Sequence, residues 1–340
     1  MTVKEIAGLA GVSIGTVDRV LHGRGRVSGA TRERIEAIVL KHGYRPNPIA
    51  RHLRLGKEYH FVALMPGAEN DEGYWLLAME GVRDSAAGIA SFGVSVEIVT
   101  FDRDRKGAAV AALESIPMEG LDGLLAAPVE TGDLGPALGR LCPRLPVVFF
   151  DAETTKAEPM IAIIQDPIRS GLLAGRLLDS FCPRQGSSTR RFAVVNPHPH
   201  DEHLSRRVDG VASYFSSIPR GAGVELVRIS IDGGSRAAAL ELAAASSLSR
   251  FDGVVVVNAQ VAEIAGALEP RPRIIGYDLV PANVSLLREG RVDALISQDP
   301  AFQAGEGIRA LYRSVVLGER PAARELRAPL DVYFAENLPE

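Results

Sequence analysis

Cysteine is nearly absent from this chain. Cys142 and Cys182 are the two present in 340 residues, and each is followed by proline. Neither sits at a metal-ligand spacing, so both read as reduced cytosolic thiols. Long apolar runs are missing too. None reaches 18 residues, which excludes a membrane-spanning helix, and the amino terminus lacks the charged-then-apolar segment of an export signal. The expectation is a cytoplasmic protein with no membrane partner. Catalytic signatures are equally scarce: there is no Walker loop and no His-Glu-x-x-His. Asp102-Arg103-Asp104 reads as a surface turn rather than a carboxylate pair. No enzyme and no cofactor are expected.

What is present is an ordered, soluble composition, 46% apolar and 24% charged, long enough for two or three domains. The net charge of −4 hides an asymmetry. Residues 1–60 carry 11 Lys and Arg against 5 Asp and Glu, and the remainder carries 27 against 37. A basic head on an acidic body fits nucleic-acid contact at one end only.

That head has the pattern of a helix-turn-helix. Thr2 three residues before Glu5 is a capping box. Ile6 is apolar, and Ala7 is small enough for a second helix to approach. Gly11 supplies the positive φ of a tight inter-helix turn. Ser13 caps the second helix, and Val12, Val17 and Val20 fill the seam. The outward residues of such a second helix enter the major groove of DNA. A Gly-rich loop follows, Leu21 to Arg26, and it succeeds a helix, unlike a nucleotide-binding loop. Ser28 then caps a third helix through Lys41, with Ala30, Ile35, Ile38 and Val39 as its apolar face and Gly43 at its end. Beyond it, Asn47 is a good N-cap, Pro48 suits the first helical position and Gly56 closes the segment. The result is a helix of about eight residues, too short to be stable alone.

Val3-Lys4-Glu5-Ile6-Ala7, Ala10-Gly11-Val12-Ser13, Thr16-Val17, Arg19-Val20-Leu21, Val27-Ser28, Thr31-Arg32-Glu33-Arg34-Ile35 and Tyr44-Arg45-Pro46-Asn47 together resemble the DNA-binding head and hinge of the LacI/GalR (lactose-repressor/galactose-repressor) family of bacterial transcription regulators. The resemblance implies that Ile14, Gly15 and Arg19 face base edges. It places Ser13, Thr16 and Asn47 on the backbone or minor groove. Leu53 becomes a wedge driven into the central minor groove, with Ala50 beside it. Gly15 and Asp18 depart from the usual pattern of the family.

From Tyr59 onward short apolar strands alternate with helices: strands at Phe61–Met65, Val94–Thr100, Leu121–Ala126, Val147–Phe150 and Ile161–Ile164, then Phe192–Val195, Val224–Ile229, Val254–Val257, Ile274–Tyr277 and Ala294–Ile296. Two such sets predict two doubly wound parallel-sheet lobes, with a ligand beyond the carboxyl ends of the strands. Polar residues end these strands: Glu130, Asp151, Gln165-Asp166, Asn258, Gln260, Asp278 and Gln298. Tyr74 and Trp75, the single tryptophan, follow the first strand, and Arg206 and Arg207 open a helix in the second set. An aromatic face with Asp, Asn, Arg and Gln around it suits a sugar or polyol. Asn196 to His203 packs three of the seven histidines into six residues and reads as a loop at the mouth of the cleft rather than a metal site.

Ala127-Pro128-Val129, Gln165-Asp166 with Ser170-Gly171, Arg207 with Gly210, Gly276-Tyr277-Asp278, Gln298-Asp299-Pro300 and Glu336-Asn337-Leu338-Pro339 resemble the periplasmic sugar-binding-protein fold in its ribose-binding type, the effector domain of the same regulators. The resemblance implies that Trp75, Arg207, Asn258, Asp278 and Gln298 contact the effector. It also implies three crossings between the lobes, near 165, 297 and 327. The expected organisation is a helix-turn-helix domain over 1–45, a hinge over 46–59 and an effector domain over 60–340. Within that domain, lobe one covers about 60–164 and 298–326, and lobe two about 165–297 and 327–340. The expected protein is a homodimeric, DNA-binding repressor whose operator affinity is set by a small sugar or polyol. A sugar-binding protein or a doubly wound enzyme is the alternative; the missing export signal argues against the first and the missing catalytic constellation against the second.

Overall fold

The computed structural model describes residues 1–21, 25, 27–43, 57–69, 71–129, 134–183, 189–217, 223–231, 248–265, 268 and 271–339. The chain forms two compact units, Met1–Gly56 and Lys57–Glu340. Asn47, Ala50 and Leu53 of the expected hinge, and Glu130, lie outside the described residues.

The first unit holds helices α1 (Val3–Ala10), α2 (Ile14–Leu21) and α3 (Gly29–Lys41). Local chemistry sets each boundary. Thr2 Oγ1 accepts the Glu5 amide at 3.3 Å, and Glu5 Oε2 accepts the Thr2 amide at 2.7 Å. Gly11 ends α1 at φ 65°, which lets the Val12 amide reach back to the Ala7 carbonyl at 3.0 Å. Ser13 Oγ accepts the Thr16 amide at 3.2 Å, and the Ser28 side chain caps α3. Ile6, Ala7, Ala10, Val17, Val20 and Ile35 form the buried core, with Val12, Ile38 and Val39 packed around it. Ala30, expected on the apolar face of α3, is exposed instead. It lies in the first turn, beyond the reach of that small core.

The second unit has two six-stranded sheets. The first contains β1 (Tyr59–Pro66), β2 (Val94–Phe101), β3 (Leu121–Ala126), β4 (Val147–Phe150), β5 (Ile161–Ile164) and β11 (Glu325–Arg327), in the all-parallel order β11-β5-β4-β3-β1-β2. The second contains β6 (Arg190–Asn196), β7 (Val224–Ser230), β8 (Gly253–Val256), β9 (Arg273–Tyr277), β10 (Ala294–Ser297) and β12 (Asp331–Tyr333), in the order β12-β10-β9-β8-β6-β7. Its one antiparallel pair is β10 with β12. Strands β4, β5, β8 and β10 are buried along their whole length, as covered parallel strands require. The chain passes between the sheets after β5, after β10 and between β11 and β12. Gln165 ties these passages together: its Nε2 donates to the carbonyls of Ser297 at 2.7 Å and Pro329 at 2.8 Å.

The covering helices are α4 (Tyr74–Ile89), α5 (Ala108–Ser115), α6 (Leu134–Leu141), α7 (Pro167–Phe181), α8 (Glu202–Ser217), α9 (Val261–Ala265), α10 (Pro281–Arg288) and α11 (Pro300–Leu311). Among the described residues no helix is long and apolar enough to cross a membrane. Helices α7 and α8 touch backbone to backbone. A Cβ on Gly171 would collide with the Arg207 carbonyl oxygen, and one on Gly210 with the Ile168 carbonyl oxygen. This contact fixes the stretch of α8 that carries Arg207.

Gly210→Val should therefore destabilise the second unit by about 1–3 kcal/mol, the range for overpacking, measured as a lower urea midpoint of the full chain. An unchanged midpoint would mean that the two helices separate at no cost.

Candidate functional site

A strand buried on both faces has room for polar side chains only where it leaves the sheet. In the second unit these exits face one cleft. Asp151, one residue past β4, and Asp278, one past β9, both take positive φ, 66° and 65°, as the chain turns out of the strand. Asn258 follows β8 and Gln298 follows β10. Together with Asp71, Tyr74, Trp75, Arg103, Asp201 and His203 these residues line one small cavity in the cleft.

The second lobe supplies the floor. Asp278 Oδ1 accepts the Gln298 amide at 2.9 Å, and its Oδ2 accepts Gln298 Nε2 at 2.7 Å. Gln298 Oε1 accepts Arg207 Nη2 at 2.6 Å, and Arg207 Nη1 donates to the Val257 carbonyl at 2.5 Å. The Arg207 guanidinium lies 4.1 Å from the Tyr277 ring centre and is fully buried. It also donates to His203 Nε2 at 2.9 Å. Burial, then the nearby Arg207 charge, pushes the His203 imidazole down to about 3, so at neutral pH this ring is uncharged and can accept.

The first lobe supplies the facing wall. The Tyr74 hydroxyl donates to Asp151 Oδ1 at 2.5 Å, and the Asp151 amide donates to Gln303 Oε1 at 3.0 Å. Trp75 stands edge-on to Tyr74 and donates its indole N–H to Asp71 Oδ2 at 2.8 Å. Arg103 donates to Asp71 and, across the cleft, to Asp201 at 3.0 Å. His198 Nε2 lies 3.0 Å from Asp71 Oδ1. Burial raises the Asp71 carboxyl, but the Arg103 charge and the His198 contact outweigh it and hold the group well below the usual carboxylate range.

Of the residues expected at the site, Tyr74, Trp75, Asp151, Asn258, Asp278 and Gln298 meet at this cavity. Arg207 lies beneath its floor and orients Gln298 rather than lining the space. Two expectations are corrected. Asp166 is the N-cap of α7, accepting the Arg169 amide at 3.0 Å, and it pairs with Arg327 at 2.9 Å where the strands cross. Both of its carboxylate oxygens are engaged there. Arg206 points the other way round α8 from Arg207 and pairs with Glu153 at 2.8 Å at the rim. Asp102-Arg103-Asp104 is the expected turn with both carboxylates exposed, but the Arg103 side chain runs from it into the cleft and is buried there. Asp71 and Arg103 are not among the residues expected at the site, whereas Asp201 and His203 belong to the loop expected at the mouth of the cleft. The signal for Arg103 was available, because it lies two residues past β2 and obeys the same strand-exit rule as Asp151.

On the head, Ser13, Ile14, Gly15 and Arg19 are exposed on one side of α2, and Thr16 is half-buried. Ile14 leaves 45% of its surface in solvent, an apolar side chain the head core does not use. Gly11-Val12-Ser13-Ile14-Gly15 has the Gly-x-Ser-x-Gly spacing of a nucleophile elbow. It joins helix to helix rather than strand to helix, and the Ser13 hydroxyl is engaged with Thr16 at 2.9 Å.

Burial pushes the Asp151 carboxyl up to about 7 from an ordinary 3.8, although the Tyr74 hydrogen bond opposes this. A raised acid pKa makes the folded chain hold a proton that the unfolded chain releases. The resulting stability is complete below the unfolded value and is lost as pH rises through about 7. Asp151→Asn removes this titration. Its unfolding midpoint relative to the parent, measured on ligand-free protein, should rise between about pH 5 and about pH 8. A difference independent of pH would show that Asp151 is already ionised in the folded protein at the lower value.

Residues 2–47 match the model for bacterial regulatory proteins of the lacI family, and residues 62–319 match the periplasmic binding protein domain. The HTH-type transcriptional regulator PtxS of Pseudomonas plecoglossicida is 30% identical over 228 residues, covering 66% of this chain and 61% of that protein. The sucrose operon repressor of Klebsiella pneumoniae is 32% identical over 165 residues, 47% of each chain. The chain thus spans less than two thirds of the length of either relative. In fold it is similar to GanP, a glucose-galactose binding protein from Geobacillus stearothermophilus, with a TM-score of 0.71 at 20% identity over 84% of this chain and 100% of that one. The chain belongs to the family built on the periplasmic binding protein domain, joined at its amino terminus to a helical head of the lacI family of bacterial regulatory proteins.

Proposed function

We propose that this protein is a DNA-binding transcription regulator, acting as a repressor, whose operator affinity is set by a small sugar or polyol held in the cleft. The observation that carries the reading is one chain containing both a capped helix-turn-helix with an exposed α2 face and a polar cavity enclosed by two lobes. The division of labour follows: residues 1–45 read DNA, 46–59 couple, and 60–340 bind the effector.

On DNA, Ile14, Gly15 and Arg19 face base edges in the major groove. The hydroxyls of Ser13 and Thr16, at the positive end of α2, suit phosphate oxygens. Asn47 follows the backbone into the minor groove, where Leu53 with Ala50 beside it opens a base step. Two copies read a near-palindrome, because half-site symmetry mirrors protein symmetry. In the cleft, hydroxyls donate to Asp151 and Asp278 and accept from Asn258, while Trp75 offers a flat apolar surface. A guest touching both lobes binds the closed arrangement better than the open one and so shifts their balance. By linkage, the operator changes effector affinity by the same factor that the effector changes operator affinity. A binding protein without regulatory action would show no such reciprocity.

Gel shifts of the full chain on its own upstream DNA, with and without a sugar panel, test the reading. Arg19→Ala should weaken the specific complex by about 1–3 kcal/mol and relax sequence preference. An unchanged preference would remove Arg19 from base reading. Leu53→Ala should weaken specific binding far more than binding to random duplex, and equal losses would contradict the wedge.

A further inference from the structure

The groups lining the cavity are strongly unbalanced in charge. Asp71, Asp151, Asp201 and Asp278 face it, and the lining cation among the described residues is Arg103. Arg103 is committed within the protein. Its guanidinium joins Asp71 of the first lobe to Asp201 of the second, and all three side chains are more than nine-tenths buried. Asp71 is further held by Trp75 and His198. The chain delivers Asp71 at a conformational cost, since Asp71 and Glu72 both adopt left-handed backbone, φ 51° and 54°. The other guanidinium nearby, Arg207, lies under the floor: its Nη1 and Nη2 donate to Val257, His203 and Gln298, and its buried Nε has no partner among the described residues.

An anionic guest therefore meets, among the described lining residues, four carboxylates and one guanidinium already held between two of them. Asp151 and Asp278 are pushed up to about 7 and about 6, chiefly by burial, so the space already resists negative charge. A neutral guest has no such penalty. Its hydroxyls can donate to these oxygens, which an added carboxylate or phosphate cannot do.

We infer that the Asp71–Arg103–Asp201 bridge is a specificity determinant that restricts the cleft to uncharged polyols and excludes sugar acids and sugar phosphates. This inference rests on the effector reading of the cleft and narrows it. The bridge withdraws the described lining cation from ligand binding and is satisfied in the closed arrangement of the lobes. Removing either carboxylate releases part of the guanidinium toward the cavity and removes one negative charge. Both changes favour an anion.

The test uses the full chain and two matched pairs, D-glucose with D-gluconate and D-ribose with D-ribose 5-phosphate, alongside myo-inositol. Binding is read by thermal shift and by calorimetry. For the parent protein, the neutral compounds bind and the anions do not raise the melting temperature. In Asp71→Asn, the ratio of anionic to neutral affinity should rise at least about tenfold, which is about 1.4 kcal/mol. Asp201→Asn provides the same change from the opposite lobe and keeps an oxygen to cap α8 if Asp71→Asn fails to fold. Tighter binding of an acid or phosphate than of its neutral parent by the unaltered protein would overturn the inference. So would an unchanged ratio in both variants. If no compound of either charge shifts the parent protein, the effector reading of the cleft falls, and the inference falls with it.

Discussion

Charge placed between two lobes must be matched where it lies, and this requirement organises the two-lobed unit. Arg103 lies between Asp71 and Asp201 with little access to water. A buried ion pair is weak evidence for stability, because desolvation of both partners offsets the attraction. Its value is geometric. A guanidinium shared by carboxylates on two bodies is satisfied at one separation and one rotation of those bodies, and movement in any direction leaves a buried charge unpaired. The bridge thus selects a single closed arrangement of the lobes, and the cavity takes its shape from that arrangement.

The same logic explains the second-lobe floor. Arg207 can be fully buried because Val257, His203, Gln298 and the face of Tyr277 surround it. It can occupy that place because Gly171 and Gly210 let α7 and α8 approach within backbone contact. A packing feature remote from the cavity, two glycines between helices, therefore sets the orientation of Gln298 and through it Asp278. Sheet, helix pair and polar floor are one construction.

Much of this was legible in the chain beforehand. Ten of the twelve described strands lie within two residues of their expected ends, because buried parallel strands leave short apolar runs closed by polar residues; β11 and β12, three-residue edge strands with no buried run, were missed. The first three helices were bounded correctly because their stops are chemical and local: Thr2 with Glu5, Gly11, Ser13 and Ser28. The exit rule brought Asp151, Asn258, Asp278 and Gln298 to one cleft. It failed at Asp166, and so did the expectation for Arg206, which rested on its helix rather than on a strand exit. Each can satisfy its charge with a nearer partner, Arg327 for one and Glu153 for the other, and nothing in the order of residues reveals those partners.

By itself, then, the sequence determined the helical head, the two parallel sheets and the edge on which the polar residues gather. Periodicity and capping act over a few residues, so they are written in local order. Tertiary structure alone decided which charges meet. Arg103 reaches Asp201 across 98 positions and His198 reaches Asp71 across 127. Those encounters exist only once two separately folded sheets face each other, since pairing of buried charge depends on distance in space and leaves no periodic trace along the chain.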